Sequence, residues 1–181
     1  AEMGGKNPCI VTARANLEDA AAGIVRSAYG MGGQKCSALS RLYVDHAVAD
    51  ELIASLRTQI DAIRIGDPCQ RENWLGPVVN ASAYASYARY ADELYQGGGQ
   101  IISGGHQLRA GALARGYYVE PVLAEAPLSH RLWKHEMFLP ILMVHRVRDR
   151  DEAMRLANES DLGLTAGFYG GADEVSWFHE H

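Results

Sequence analysis

No apolar run in this chain approaches the length of a bilayer. The longest, Phe138 to Val144, is interrupted by Pro140, whereas a spanning helix needs about 20 apolar residues. A membrane role is therefore not expected. A basic groove is equally lacking. The chain carries 17 Lys and Arg against 22 Asp and Glu, for a net charge of -5, with both signs scattered along its length. That distribution argues against nucleic acid as a partner. Cysteine is scarce: Cys9, Cys36 and Cys69 are odd in number and have no paired spacing. A disulfide framework is excluded on that pattern, and free thiols in a reducing compartment, the cytoplasm, are expected. The N-terminus opens directly into Glu2 and a glycine pair, so no secretory leader is expected. No internal repeat or low-complexity linker divides the chain. What remains is 181 residues, 48% hydrophobic and 22% charged, enough for one soluble domain with its own core.

Hydrophobic periodicity alternates between strand and helix. Cys9-Ile10-Val11 is a short buried-strand candidate. Asn16 then reads as an N-cap, with Glu18 and Asp19 in the first turn of a helix over Leu17–Tyr29. Ala21, Ile24, Val25 and Ala28 share one face of that helix. Gly30, Gly32 and Gly33 end it and open the loop that carries Cys36. Arg41-Leu42-Tyr43-Val44 predicts the next strand, and Ala47–Ile65 an amphipathic helix built on Leu52, Ile53, Leu56, Ile60 and Ile63. Further along, a helix is expected over Ala81–Tyr95, a strand over Gln100–Ser103, and extended chain over Gly116–Leu123. A strand over Pro140–Val147, a helix over Arg150–Asn158, a strand over Leu164–Tyr169 and a helical tail over Asp173–His179 complete the pattern. This alternation predicts an α/β domain with an open, largely parallel sheet flanked by helices.

Two segments carry chemistry. One reads Glu2-Met3-Gly4-Gly5-Lys6-Asn7-Pro8; the other, Gly32-Gly33-Gln34-Lys35-Cys36-Ser37, places a cysteine thirty-four residues after the glutamate. A thiol can attack a carbonyl, and a carboxylate can activate the water that cleaves the resulting thioester. The other cysteines invite blander readings. Cys9 belongs to a strand and is expected to be a buried structural thiol. Cys69 follows Asp67-Pro68 in a loop. His135 stands beside Glu136, but position 139 is Leu, so the second histidine of an H-E-x-x-H metal site is missing and no metal is expected.

These motifs resemble the aldehyde dehydrogenase superfamily. Glu2-Met3-Gly4-Gly5-Lys6 is similar to that family's glutamate motif and Gly33-Gln34-Lys35-Cys36 to its cysteine motif. Gly66-Asp67-Pro68, Gly76-Pro77, Gly116-Tyr117 through Pro121, Glu136-Met137-Phe138-Leu139-Pro140, and Ala157-Asn158 followed by Gly163-Leu164-Thr165-Ala166-Gly167 resemble further signatures in the expected order. The run from Gly33 to Arg41 looks most like the glutamate-semialdehyde (pyrroline-carboxylate) dehydrogenases of proline catabolism.

The resemblance implies an enzyme that oxidises a small-molecule aldehyde to a carboxylic acid with NAD or NADP. Cys36 would be the nucleophile and Glu2 the base. Glu136 would hydrogen-bond the nicotinamide ribose, Phe138 would lie against the nicotinamide end, and Ser37 would contact substrate. Two positions depart from the family pattern: His135 stands where an acid is common, and Leu139 where glycine is common. The G-x-G-x-x-G fingerprint of a dinucleotide-binding unit does not occur. Residues 1–181 are thus expected to be part of a catalytic domain whose nucleotide-binding domain is absent, inactive in isolation. The family also implies a homo-oligomer. The competing expectation is a non-catalytic remnant with a structural or oligomerising role.

Overall fold

The computed structural model describes residues 3–181. Its element order is β1 (Asn7–Val11), α1 (Leu17–Tyr29), β2 (Leu39–Asp45), α2 (His46–Asp61), α3 (Ala81–Gln96), β3 (Gln100–Ser103), β4 (Val122–Glu125), β5 (Ile141–Val147), α4 (Arg150–Ala157), β6 (Gly167–Tyr169) and α5 (Val175–Glu180). The strands form one six-stranded sheet in the order β3-β4-β5-β2-β1-β6. Every neighbouring pair is parallel except β3 with β4. The expected fold class is the one observed.

Both faces of the sheet are covered, which is why its strands read as nearly continuous apolar runs. Cys9, Val11, Leu42, Val44, Leu142 and Val144 point to the layer formed by α1 and α2. The alternate residues Ile10, Tyr43, Ile141 and Met143 point to the layer that holds α3 and α4. Side-chain caps fix where the helices begin: Asn16 accepts from the N–H groups of Glu18 and Asp19, Asn80 from that of Ala83, and Asp149 from that of Glu152. No helix of the described residues is long and apolar enough to cross a membrane.

Several element boundaries differ from expectation, and three of the differences have a visible reason. The second helix stops at Asp61 rather than Ile65, because Ile65 leaves to bridge Leu75 and the Arg64 carbonyl accepts from Trp74 and Leu75. Gly116 and Tyr117 form a turn rather than extended chain, and the residues after them pair outside the main sheet, through Gln107 with Val119. The sheet strand itself runs from Val122 to Glu125. The last strand is only Gly167–Tyr169, because the Thr165 N–H is spent on the Asn7 side chain instead of a strand carbonyl. The helical tail comprises a short 3-10 turn followed by α5.

Candidate active site

Four loops enter the parallel strands β1, β2, β5 and β6 from the same edge of the sheet. They comprise residues 3–6, 34–38, 134–140 and 163–166, and they contain Cys36, Ser37, Glu136 and Phe138. They also pack directly on one another. Gly5 is the point of contact between three of them. Its N–H donates to Glu136 Oε1 at 2.9 Å, and a Cβ on Gly5 would lie 2.0 Å from the Cys36 carbonyl oxygen. Only glycine permits that approach. Gly33, just before the cysteine loop, makes a similar approach to the 134–140 segment, since a Cβ there would lie 2.4 Å from the Leu139 carbonyl oxygen.

Asn7 locks the cysteine loop. Its amide nitrogen donates to the carbonyls of Cys36 at 2.7 Å and Ala38 at 2.8 Å, while its oxygen accepts from the Thr165 N–H at 2.9 Å. One buried side chain thereby ties together the entries to β1, β2 and β6, at the point where the β1–β2 register shifts between Asn7 and Pro8. Below it, Arg41 is 2% exposed and fully engaged. Its guanidinium donates to the Lys6 carbonyl at 3.0 and 2.6 Å, to the Leu156 and Ala157 carbonyls at 3.3 and 3.0 Å, and to the Tyr43 hydroxyl at 3.4 Å.

Cys36 itself sits half-buried in the turn before β2. The loop places its backbone N–H and that of Ser37 without an acceptor among the described residues. Ser37 is half-buried, accepts from the Thr165 hydroxyl through its carbonyl at 3.4 Å, and lines a cavity of about 330 Å³ with Lys35, Ser27 and Thr165. The Lys35 ammonium lies 3.5 Å from the position of a Cβ on Gly30, at the end of α1, rather than over the thiol. Glu136 is half-buried beside Gly4 and Gly5. Glu2, the expected base, lies outside the described residues.

Phe138 resolves the substitution at position 139. Leu139 is buried in the core on the α3 and α4 side of the sheet, so the larger side chain is absorbed by packing. Phe138 instead adopts the left-handed conformation, with φ 55°, at a cost of order 1 kcal/mol. That backbone strain keeps the half-buried ring out of the strand β5 that begins at Ile141. The core position at the start of that strand is taken by Leu139, not Phe138. His135 is likewise committed, its Nε2 lying 2.8 Å from the Tyr90 hydroxyl.

The cysteines separate by environment. Cys9 is 2% exposed and burial pushes its thiol up to about 12, as expected for a structural residue. Cys69 is exposed on a loop. Sequence reasoning did not single out Asn7, Lys6, Arg41 or Thr165 for these tasks. A charged Arg41 in an otherwise apolar strand was the available signal, because a buried guanidinium must find acceptors.

Comparison with known proteins agrees with this geometry. The family model described as Aldehyde dehydrogenase family matches residues 1–178. The 1-pyrroline-5-carboxylate dehydrogenase of Geobacillus kaustophilus is 36% identical over 166 residues, which cover 91% of this chain and 31% of that protein. The alpha-ketoglutaric semialdehyde dehydrogenase of Bacillus subtilis is 32% identical over 169 residues, 93% of this chain and 35% of that one. Among solved structures, 1-pyrroline-5-carboxylate dehydrogenase from Thermus with bound NAD superposes with a TM-score of 0.91 at 34% identity, over 98% of this chain and 34% of that one. Betaine aldehyde dehydrogenase from Staphylococcus aureus in complex with NAD+ does so with a TM-score of 0.93 at 28% identity, over 98% and 35% of the two chains. The chain spans about a third of the length of the curated relatives it matches. On its sequence, its sheet and the convergence of its motifs on Gly5, the chain belongs to the aldehyde dehydrogenase family.

Proposed function

We propose that these residues form the catalytic part of an NAD(P)-dependent aldehyde dehydrogenase, completed by a nucleotide-binding domain elsewhere in a longer polypeptide. The observation that carries this reading is the double role of Gly5, which abuts the Cys36 carbonyl while donating to Glu136. It couples the nucleophile's loop to the carboxylate assigned to the cofactor.

Cys36 attacks the aldehyde carbon through its sulfur, giving a thiohemiacetal. The N–H groups of Cys36 and Ser37, without an acceptor among the described residues, are suited to stabilise the oxyanion that develops. A bound nicotinamide supplies the acceptor for the hydride that leaves that carbon. Cys36 then holds a thioester, and Glu2 activates the water that releases the carboxylic acid and frees the thiol. Glu136 has one oxygen held by Gly5 and the other next to Gly4, a fit for accepting from a ribose hydroxyl. Phe138, turned out of β5, borders the same segment and is assigned to the nicotinamide end. Ser37, lining the cavity beside the cysteine loop, is assigned to substrate. The 1-pyrroline-5-carboxylate dehydrogenases among its relatives agree with the glutamate-semialdehyde (pyrroline-carboxylate) substrate that the Gly33 to Arg41 run suggests.

The test is turnover of the full-length protein with an aldehyde and NAD or NADP. Cys36→Ala is expected to lower kcat by roughly a thousandfold or more at unchanged fold. A variant with normal turnover would overturn the assignment.

A further inference from the structure

Lys6 is fully buried, and among the described residues its Nζ has no hydrogen-bond partner. Such an arrangement is costly, since a buried ammonium normally needs a partner. The backbone around it is fixed on both sides. The preceding N–H, from Gly5, donates to Glu136, and the Lys6 carbonyl is held twice by Arg41. The stem cannot easily carry the ammonium elsewhere. Three charged or titratable groups act electrostatically with it: Arg41 from β2, and Glu136 and His135 from the segment before β5. Glu136 is the one carboxylate among them, and it lies beyond ion-pair distance.

We propose that Lys6 is a positioning residue for Glu136, its sealed ammonium holding the carboxylate oriented toward the ribose hydroxyl of the cofactor. This rests on the assignment of Glu136 to the cofactor. The Gly5 N–H secures one carboxylate oxygen only. A buried positive charge on the residue after Gly5 gives the carboxylate a second constraint without occupying the other oxygen, which stays available to a ligand. A direct salt bridge would have consumed that oxygen.

The charge is also adjustable. Burial, with repulsion from Arg41, brings Lys6 down to about 7. The ammonium form prevails below that pH and the neutral amine above it, so the constraint on Glu136 weakens as pH rises from 6 to 8. His135 has its own pKa lowered by burial, and its charge opposes that of Lys6.

The experiment measures NAD+ affinity of the full-length protein by fluorescence titration at several pH values, for the native protein, Lys6→Met, Glu136→Gln and the double variant. Lys6→Gln replaces Lys6→Met if the latter does not fold. Expected are about a tenfold weakening for each single variant, no further weakening in the double variant, and loss of the pH dependence between 6 and 8 in the Lys6 variant. Thermal melting should show the Lys6→Met protein at least as stable as the native one, which separates positioning from a structural role. Unchanged affinity in Lys6→Met with weakened affinity in Glu136→Gln would overturn this proposal and leave the assignment of Glu136 standing. Additive single effects would also overturn it. Unchanged affinity in Glu136→Gln would overturn both.

Discussion

Two buried cations lie at the start of β1 and β2, and their surroundings are opposite. Around Arg41 every direction offers an acceptor: the carbonyls of Lys6, Leu156 and Ala157 and the Tyr43 hydroxyl. Around the Lys6 ammonium, among the described residues, no direction does. The first region behaves as a satisfied network, in which a charge fixes three chain segments at once. The second carries an uncompensated charge next to the loops assigned to chemistry. Stability is thus concentrated under the sheet edge, and the cost is borne where the ligand groups stand. Natural proteins commonly break local rules at such sites.

Mutations can break this contrast in order of expected size. Arg41→Met should be the most damaging, because four acceptors lose a donor in a buried site. A loss of about 3 kcal/mol or more is expected in chemical denaturation. Asn7→Ala should follow at about 2 kcal/mol, with kcat falling further than stability explains, since the Cys36 and Ala38 carbonyls and the Thr165 N–H all lose their partner. Parallel melting and turnover measurements check both parts.

Lys6→Met should move stability the other way. In the folded chain Lys6 stands at about 7 against an ordinary 10.5. Between those values the unfolded state holds the extra proton, so native stability rises with pH there, by up to about 5 kcal/mol from this group. Below pH 7 both states are protonated and the full cost remains. The gain from Lys6→Met should therefore be largest below pH 7 and fade toward pH 10, as urea titrations of the two proteins across that range would show. A loss of stability at pH 6 would contradict the contrast with Arg41. The smallest effect is expected from Cys9→Ala, a buried thiol with one long contact to a neighbouring carbonyl at 3.9 Å. A change of about 1 kcal/mol and unaltered turnover are expected.

The sheet was legible because a doubly covered parallel strand advertises itself as an apolar run, and Asn16 and the glycines after Tyr29 announced the ends of α1. The antiparallel β3 edge was not, since pairing direction leaves no mark in Gln100–Ser103 alone. The Cys36 loop was readable from its glycines, whose need appears in the 2.0 Å approach of Gly5 to the Cys36 carbonyl and the 2.4 Å approach of Gly33 to that of Leu139. Asn7 escaped notice because its three bonds reach residues 29, 31 and 158 positions away. Leu139 was readable as a departure, yet only the backbone shows that the strain falls on Phe138 and the packing on Leu139. Reactivity also needs the structure. Cys69 is exposed, so a general alkylating reagent is expected to modify it along with Cys36, and only a carbonyl-mimicking reagent should distinguish them.

The central claim is covalent chemistry at Cys36. The most direct measurement is mass spectrometry of the full-length protein quenched during turnover with an aldehyde and NAD+, followed by peptide mapping. The account predicts an acyl adduct on the peptide carrying Cys36, none on those carrying Cys9 or Cys69, and its disappearance in Cys36→Ala. Sustained turnover with no adduct on Cys36, or unchanged turnover in Cys36→Ala, would contradict it.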